Sequence, residues 1–391
     1  MEAPWDVCVL SMSEVVYDAR TLNVVRSFAR EGYRVCLVGW GDAHAADMLR
    51  SVSVQPLLRP RPRLPRAWQQ WALFALWVIS HWQRLRARVY WTADIYGLPL
   101  AAHLARRHTA CLFYDSRELY FALASLRERP RTQRILQWLE AHYIRMVHRC
   151  VVSGWLDAEE LQRRYRLPHP PLVLLNVPPY RIPPRTDRLR QQLRLPSETL
   201  LLLYQGAVLK GRGLEHAIRL LCRLPDSVLC ILGDGAYRET LHQMALRFNV
   251  AQRIYWLGWR PYDELLEWTA SADIGLALIE PITRSYELAL PNKVFEYCMA
   301  GIPTIATDLP ALHMLFERYR IGILIPPDFS PEELTRAVRT LRIPEVWQQY
   351  HKRCREAATR LCWEAQHQKL IELLATSSCS SSIKPSVPAR T

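Results

Sequence analysis

The 391-residue sequence lacks several features that would assign it to a class at once. No apolar run approaches the roughly 20 residues that cross a bilayer. The N-terminus enters an apolar strand pattern directly, so no signal peptide is expected. No Cys-x-x-Cys pair occurs among the ten cysteines, which stand singly. We therefore expect buried free thiols in a reducing compartment, and neither disulfides nor structural zinc.

Histidine spacing also argues against a metal site. The twelve histidines form no H-x-x-x-H or H-x-x-E-H pattern with acidic partners. Such patterns bring two imidazoles to one ion, so the sequence predicts no metal.

The composition is that of a folded protein with a strong positive charge. Half of the residues are apolar and 23% are charged, which is far from the composition of a disordered chain. The length exceeds what one core usually covers and favours two domains of roughly 180 residues each. The net charge of +14 is carried mostly by arginine. A protein this basic is expected to meet nucleotide phosphates, nucleic acid or an anionic lipid surface.

Short apolar runs alternate with helical patterns in the first half, which predicts a parallel sheet in a doubly wound α/β fold. Each predicted strand ends in polar residues, and ligands of such folds bind at the carboxyl ends of the strands. The predicted strands are Val7–Met12, Tyr33–Gly39, Arg88–Thr92, Cys111–Asp115, Cys150–Ser153 and Leu172–Asn176.

The alternation restarts after a proline-rich basic stretch, which predicts a second Rossmann-like domain. We expect domains over 1–180 and 197–344, a linker over 181–196, a long helix over 345–375 that packs across both domains, and a disordered tail over 376–391. The predicted strands are Leu200–Gln205, Val228–Leu232, Ile254–Leu257, Ile274–Leu278 and Thr304–Ala306, and the predicted helices are Leu214–Leu224, Ala236–Phe248 and Tyr262–Ser271.

A helix is predicted from Asn292 to Met299, directly after Pro291, which suits the first turn of a helix. Its N-terminal turns carry Lys293 and Glu296. Backbone N–H groups and a lysine there favour a phosphate, and a carboxylate one turn later accepts hydrogen bonds from ribose hydroxyls. The alternative is an ordinary helix with a Lys–Glu pair on its solvent face.

Three glycine-containing segments follow predicted strands of the second half. They are Gly206–Gly213, which also carries Lys210 and Arg212, then Gly233–Gly235, and Gly258 with Trp259. Glycine lets backbone N–H groups approach an anion. Each segment alone is equally well a structural turn, but together with the Pro291 helix they converge on one edge of one sheet.

These motifs resemble the family-4 retaining glycosyltransferases of GT-B fold, and the resemblance runs in register over most of the chain. The residues that carry it are Gln205-Gly206, Gly211-Arg212-Gly213, Leu232-Gly233-Asp234-Gly235, Leu257-Gly258, Pro291-Asn292-Lys293 through Glu296, and Gly301-Ile302-Pro303. The resemblance implies two Rossmann-like domains that face each other across a cleft, with a C-terminal helix that crosses back.

The resemblance also implies roles for residues of the second domain. Lys210 or Arg212 would meet the diphosphate, Gly258 and Trp259 would lie near the base, and Glu296 would hold the ribose. Further donor-binding residues would be Gly206, Gly233, Gly235, Glu287, Asn292 and Lys293. The sequence departs from the family twice here, because Leu288 stands where many members have a first glutamate and Ala207 where they have an arginine.

Polar strand ends of the first half supply the acceptor side of the implied site. The residues expected there are Asp94, Asp115 and Arg117, with Glu118 as a catalytic candidate. Members of the family often have histidine where this chain has Arg117, and an arginine cannot act as a general base. The resemblance implies transfer on one face of the sugar, in which the leaving phosphate itself helps to deprotonate the acceptor. Asp18 and Arg20 also follow a strand, and the alternative for them is surface charge that caps a helix.

The segment Arg59–Arg88 places tryptophans and a short apolar helix between two groups of arginines. This pattern suits an element lying in a membrane interface, a core helix with basic ends in water, or a surface for single-stranded nucleic acid. The interface is favoured over the core helix, and nucleic acid is not expected as a partner.

The sequence therefore predicts a retaining glycosyltransferase that needs no cofactor, because the nucleotide-diphospho-sugar is a substrate. The expected acceptor is a cell-surface polysaccharide or lipid-linked glycan at the cytoplasmic face of a membrane. Two alternatives stay open: a nucleotide-sugar epimerase on the same fold, and a non-catalytic module that binds nucleotide or glycan.

Overall fold

A computed structural model describes residues 3–123, 126–127 and 129–376 of the chain. These residues form two compact units. The first unit runs to Asn176 and resumes at Gln366, and the second unit covers Val177–Ala365.

The first unit is built on a seven-stranded parallel sheet in the order β3-β2-β1-β4-β5-β6-β7. Its strands are β1 Trp5–Glu14, β2 Val35–Trp40, β3 Val54–Arg59, β4 Ala87–Thr92, β5 Cys111–Ser116, β6 Arg149–Val152 and β7 Leu172–Val173. Its helices are α1 Ala19–Arg30, α2 Ala43–Arg50, α3 Ala67–Ser80, α4 Leu98–His108, α5 Pro130–Tyr143 and α6 Trp155–Tyr165.

The second unit has a six-stranded parallel sheet in the order β10-β9-β8-β11-β12-β13. Its strands are β8 Leu200–Gln205, β9 Ser227–Leu232, β10 Ile254–Trp256, β11 Ile274–Ala277, β12 Thr304–Thr307 and β13 Gly322–Ile325. Its helices are α7 Arg188–Leu193, α8 Leu214–Leu221, α9 Arg238–Arg247, α10 Tyr262–Ala270, α11 Arg284–Glu287, α12 Asn292–Ala300, α13 Pro310–Tyr319, α14 Pro331–Leu341 and α15 Pro344–Ala358. A last helix, α16, covers Trp363–Thr376.

The two faces of the second sheet contribute to two separate cores. Leu202 and Tyr204 of β8 pack in one buried cluster, and Leu201 and Leu203 of the same strand pack in the other. Successive strand residues point to opposite faces, so a strand with helices on both sides must be apolar at every position. This explains the unbroken apolar run of β8, and it confirms the predicted doubly wound α/β architecture.

Two strands that the sequence analysis did not predict, β3 and β13, lie at sheet edges. β3 contains Pro56, and its Gln55 is exposed. Proline is tolerated in an edge strand because one side of that strand has no ladder to join. At its edge position, β3 can therefore lack the continuous apolar pattern that marks the central strands, whereas β13 is apolar but only four residues long.

The predicted linker over 181–196 is wrong, because this segment belongs to the second unit and contains α7. Leu189 of α7 is fully buried in one of the cores. Arg185 and Arg190 both pair with Asp273, at 2.6 and 2.7 Å. The helix α7 has only six residues, which is too short to show helical periodicity in the sequence. The prolines on both sides of it therefore made the segment resemble a linker.

The predicted single helix over 345–375 is also wrong, because the chain forms α15 and α16 with a turn between them. Leu361, Cys362 and Trp363 are all buried, and three consecutive residues cannot share one face of a continuous helix. The N–H of Trp363 donates to the Pro178 carbonyl at 2.9 Å, which fixes the start of α16. The chain rejoins the first unit at Gln366. The predicted tail, apart from its first residue, lies outside the described residues.

The segment Arg59–Arg88 contains α3, which has a buried side and an exposed side. Phe74 of α3 is fully buried, 5.1 Å from the Trp40 ring, so one side of α3 belongs to the core. Trp68 and Leu76 are exposed on the other side. No helix of the described residues has both the length and the apolarity that spanning a bilayer requires.

Seven buried cysteines are free thiols, as expected: Cys8, Cys36, Cys150, Cys230, Cys298, Cys354 and Cys362. Cys111 is disulfide-bonded, and the expectation that disulfides would be absent is wrong for this residue.

Candidate functional site

The strand ends of the second unit come together around Gly206. β8 ends at Gln205, and the N–H of Gly206 donates to the carbonyl of Leu232, the last residue of β9, at 2.9 Å. Gly233 has a φ of +149°, and a β-carbon there would lie 2.0 Å from the Gly206 carbonyl oxygen. Only glycine fits this approach. Two of the predicted glycine turns therefore touch at the carboxyl edge of the sheet, where ligands bind in such folds.

Lys293 lies in the first turn of α12, but its side chain is buried. Its Nζ lies 3.5 Å from the centroid of the Tyr204 ring, and a β-carbon at Gly206 would lie 3.9 Å from the same Nζ. Burial, and then the charge of Arg212, hold the pKa of Lys293 well below its usual range, while Glu296 acts in the opposite direction. A buried ammonium beside a second cation is a strong attractor for an anion.

Arg212 supplies that second cation from the loop between β8 and α8. Its guanidinium carbon lies 4.2 Å from the centroid of the Tyr286 ring. Its Nε is buried and has no hydrogen-bond partner within the described residues. Stacking on an aromatic ring fixes the plane of a guanidinium and directs its N–H donors sideways. Arg212 and Lys293 thus form a pair of cations at the end of β8.

Glu296 lies one turn further along α12 and belongs to a chain of polar contacts. The side-chain amide of Gln205 donates to Glu296 Oε2 and accepts from Thr269 Oγ1, the latter at 3.0 Å. Burial raises the pKa of Glu296, although the Gln205 hydrogen bond and the charge of Lys293 act to lower it. These contacts orient the carboxylate but occupy only part of its acceptor capacity.

The remaining predicted glycines, Gly235 and Gly258, differ in how closely other atoms pack around them. A β-carbon at Gly235 would lie 2.3 Å from the Val208 carbonyl oxygen, so this turn is tightly packed. Gly258 has a φ of +69°, and no other atom would lie within 4 Å of a β-carbon there. The adjacent Trp259 side chain is 62% exposed. Gly258 and Trp259 therefore form an accessible surface at the end of β10.

Three other predicted positions of the second unit are more peripheral, and Leu288 is not among them. Lys210 and Asn292 are exposed. Glu287 pairs with Arg284 at 2.9 Å. Leu288, which stands where many family members have a glutamate, is buried. The structure thus brings Arg212, Lys293 and Glu296 together, and it leaves Lys210, Asn292 and Glu287 at the surface around them.

In the first unit, the predicted acceptor-side residues form a buried ionic network. Arg20 donates two hydrogen bonds to Asp115, at 2.7 and 2.8 Å, and both side chains are almost fully buried. Arg117 donates to both oxygens of Asp18, at 2.7 and 2.9 Å. Asp18 also caps α1 through the N–H of Thr21. Burial would raise the pKa of Asp18, but Arg117 and Thr21 outweigh it and the pKa is lowered. Asp18 therefore does cap a helix, but from a buried position.

Two carboxyl groups near this network have raised pKa values. Burial raises the pKa of Asp94, whose Oδ1 accepts from the Gly97 N–H at 2.8 Å. Burial also raises the pKa of Asp157 to about 7, and the charge of the exposed Glu118 adds to this, while a hydrogen bond from Ser153 lowers it. A carboxyl that titrates near neutral pH is a candidate for proton transfer.

Several residues of these sites were not predicted. Gln205 is the last residue of β8, and Asp157 lies in the first turn of α6, the helix after β6. These positions near strand ends were the available signal. Thr269 and Tyr286 lie in helices of ordinary composition, far in sequence from the residues they contact. Only the fold brings them to the site, so no local pattern marks them.

This chain is similar to known proteins in sequence and in fold. Residues 185–361 match the family model described as Glycosyl transferases group 1. The lipopolysaccharide core biosynthesis glycosyltransferase LpsE of Rhizobium meliloti is 28% identical over 118 residues, which are 30% of this chain and 32% of that protein. Alpha-D-kanosaminyltransferase of Streptomyces kanamyceticus is 25% identical over 308 residues, which are 72% of this chain and 75% of that protein. The matched segments thus span about a third of LpsE and three quarters of the kanosaminyltransferase.

Among solved structures, HepE of Anabaena in complex with UDP and glucose has a TM-score of 0.75 at 16% sequence identity. That likeness covers 95% of this chain and 100% of the HepE chain. The chain therefore has the fold of the GT-B glycosyltransferases, and its residues 185–361 match their group 1 family.

Proposed function

We propose that this protein is a retaining glycosyltransferase of the family-4 type that transfers a sugar from a nucleotide-diphospho-sugar to a glycan. The second unit binds the donor. The relatives support this, since LpsE and the kanosaminyltransferase are both named as glycosyltransferases. HepE, which has a similar fold, was crystallised with UDP and glucose.

The observation that carries the proposal is the cation pair at the end of β8. Lys293 is buried and faces a tyrosine ring, and Arg212 has a buried Nε without a hydrogen-bond partner within the described residues. Two cations held close together in a partly dry site repel each other. A diphosphate between them would remove that repulsion and accept their N–H donors. Glu296, one turn further along α12, would then accept from the ribose hydroxyls.

The chemistry follows from that placement. The bond between the anomeric carbon and the diphosphate oxygen breaks, and negative charge grows on the leaving phosphate. Arg212 and Lys293 stabilise that charge, with Lys210 as a further cation of the same loop. The acceptor hydroxyl attacks the face that the diphosphate leaves, and its proton passes to a phosphate oxygen. The configuration at the anomeric carbon is thereby retained.

The acceptor would bind the first unit, close to the carboxyl ends of its strands. Asp94, which follows β4, and the exposed Glu118, which follows β5, are the side chains proposed to contact it. We propose a lipid-linked glycan or polysaccharide as the acceptor, handled at the cytoplasmic face of a membrane. The name of LpsE, a lipopolysaccharide core enzyme, supports that acceptor class.

The proposal is tested by incubating the purified chain with a panel of nucleotide-sugars and lipid-linked acceptors. Mass spectrometry should detect a product one sugar heavier, and its anomeric proton coupling should match that of the donor. Arg212→Ala should reduce turnover by about 100-fold or more, the scale of losing one charge-stabilising donor. Arg223→Ala, which removes an exposed arginine paired with Glu332, should leave turnover unchanged. Nucleotide binding without any product across the panel would indicate a non-catalytic module instead.

A further inference from the structure

The outer surface of α3 and α5 exposes large apolar side chains. On α3, Trp68 is 63% exposed and Leu76 is 65% exposed. On α5, Ile135 and Trp138 are 59% and 63% exposed. Isolated exposed apolar residues are ordinary, but clusters that include tryptophan mark interaction surfaces.

The inner sides of these helices are fully engaged, so the exposed sides are their outer faces. Phe74 of α3 packs against Trp40 of β2. Leu136 of α5 is buried. Glu140 of α5 accepts hydrogen bonds from the hydroxyls of Tyr114 and Tyr165, at 2.8 and 2.7 Å.

The helices α3, α4 and α5 form one layer on one face of the first sheet. The connections β3→β4, β4→β5 and β5→β6 all cross the sheet in the same direction, and right-handed crossovers place their helices on the same face. Trp71 of α3 donates to the carbonyl of Tyr96, just before α4, at 2.9 Å. Trp82, after α3, stacks on His108 at the end of α4. α4 in turn packs against α5.

The charged side chains that α3, α4 and α5 expose are cations, whereas α6, the next helix on this face, exposes Glu159 as well as Arg163 and Arg164. Neither α3 nor α4 contains an acidic residue, and the one acidic residue of α5, Glu140, is buried. The exposed arginines on and around the layer are Arg59, Arg61, Arg63, Arg66, Arg84, Arg86, Arg106, Arg107, Arg131, Arg134 and Arg145. A broad surface of one charge sign with tryptophans among the arginines is complementary to anionic headgroups above an apolar layer.

We propose that the outer face of α3, α4 and α5 docks on an anionic phospholipid bilayer. Arginines contact headgroup phosphates, and Trp68 and Trp138 enter the interface between headgroups and acyl chains, where amphipathic rings are favoured. The inference does not depend on sugar transfer, because none of these residues belongs to the proposed donor site.

The test is sedimentation of the full chain with vesicles of phosphatidylcholine, with or without phosphatidylglycerol. We expect binding to the anionic vesicles, weak binding to the neutral ones, and partial release at high salt, because salt screens the arginines but leaves apolar burial intact. Trp68→Ser together with Trp138→Ser should lower the partition coefficient at least about tenfold. Arg131→Glu together with Arg134→Glu should lower it by a similar factor.

Two controls keep the result interpretable. Trp259→Ser removes a tryptophan of matching exposure from the second unit and should leave vesicle binding unchanged. UDP affinity and circular dichroism of the two double variants should equal those of the wild type, because the substituted side chains are exposed. Equal binding to neutral and anionic vesicles, undiminished binding of the tryptophan variant, or binding to single-stranded RNA in place of vesicles would overturn the proposal.

Discussion

At the residue scale, burial and the charge of Arg212 both disfavour the charged form of Lys293. An anionic ligand beside these two cations would remove that penalty. Burial lowers the pKa of Lys293, and Arg212 lowers it further. Between that lowered pKa and the ordinary value near 10.4, the unfolded chain binds more protons at this position than the folded chain does, so stability rises with pH there. Below the lowered pKa, the charged ammonium reduces the stability of the unliganded protein.

Lys293→Met should therefore stabilise the unliganded protein while weakening UDP binding. Methionine keeps the length of the side chain and packs well on the Tyr204 ring. We expect a gain of about 0.5–2 kcal/mol in unfolding free energy, the range of stabilising changes at functional positions. UDP affinity should fall at least tenfold, because a charge-assisted hydrogen bond is lost. Chemical denaturation and calorimetry measure the two quantities.

Lys352→Met is the matched control, since Lys352 is an exposed lysine of the same unit. It should change neither quantity. The wild-type affinity for UDP should also fall as pH rises through the lowered pKa of Lys293, and the variant should lose that dependence. A variant that is less stable than the wild type would contradict the assignment of Lys293 as an unsatisfied buried cation.

The role of Glu296 can be isolated by changing the protein and the ligand together. If its carboxylate accepts from the ribose hydroxyls, 2′,3′-dideoxy-UDP should bind the wild type about 1.5–3 kcal/mol more weakly than UDP does. In Glu296→Ala the two ligands should bind equally, because the acceptor is gone. Calorimetry of the four combinations gives the coupling energy. If the losses in binding free energy from Glu296→Ala and from the dideoxy ligand simply add, Glu296 does not contact the ribose hydroxyls.

At the element scale, the strand-to-helix turns of the second unit differ in how tightly they are packed. Gly213 and Gly258 have nearly the same φ, +72° and +69°. A β-carbon at Gly213 would lie 2.0 Å from the Leu278 carbonyl oxygen, whereas at Gly258 it would meet nothing within 4 Å. Both positions thus need a residue that tolerates a positive φ. Of these two glycines, only Gly213 also has no room for a β-carbon.

Gly258→Ala should cost about 1–2 kcal/mol of unfolding free energy, the penalty of a left-handed conformation for an L-residue. Gly213→Ala should cost distinctly more, because the Leu278 backbone must also move. Urea denaturation of both variants measures the difference directly. Equal losses would mean that the loop between β8 and α8 relaxes freely.

Elements with continuous patterns were predictable, and elements defined by distant contacts were not. β8 was predicted residue for residue, because its first five positions are apolar and a glycine follows Gln205. α7 was missed because its six residues depend on packing of Leu189 against the sheet. The break between α15 and α16 depends on the Trp363 contact with Pro178. At the site, Lys293 and Glu296 were predicted from helix position, but their supports Thr269 and Tyr286 come from other elements.

At the scale of the whole molecule, the chain consists of two units, each with its own sheet and hydrophobic core. The proposed donor residues all lie in the second unit. The buried Arg20–Asp115 pair lies in the first. A ligand that binds one unit stabilises only the structure that binds it, through mass action.

Calorimetric unfolding of the full chain should therefore resolve two transitions that respond to different changes. UDP at about 100 times its dissociation constant should stabilise the second unit by about 2.7 kcal/mol, which corresponds to a rise of roughly 5–10 °C for a unit of this size. The transition of the first unit should not move. Arg20→Ala assigns the transitions, because it removes both short hydrogen bonds to the buried Asp115 and leaves that carboxylate only Arg117, at 3.3 Å. It should destabilise the first unit by about 3 kcal/mol, the lower end of the range for breaking a buried ion pair. A shift of the same transition by both UDP and Arg20→Ala would place the nucleotide in the first unit and refute the donor site at Lys293.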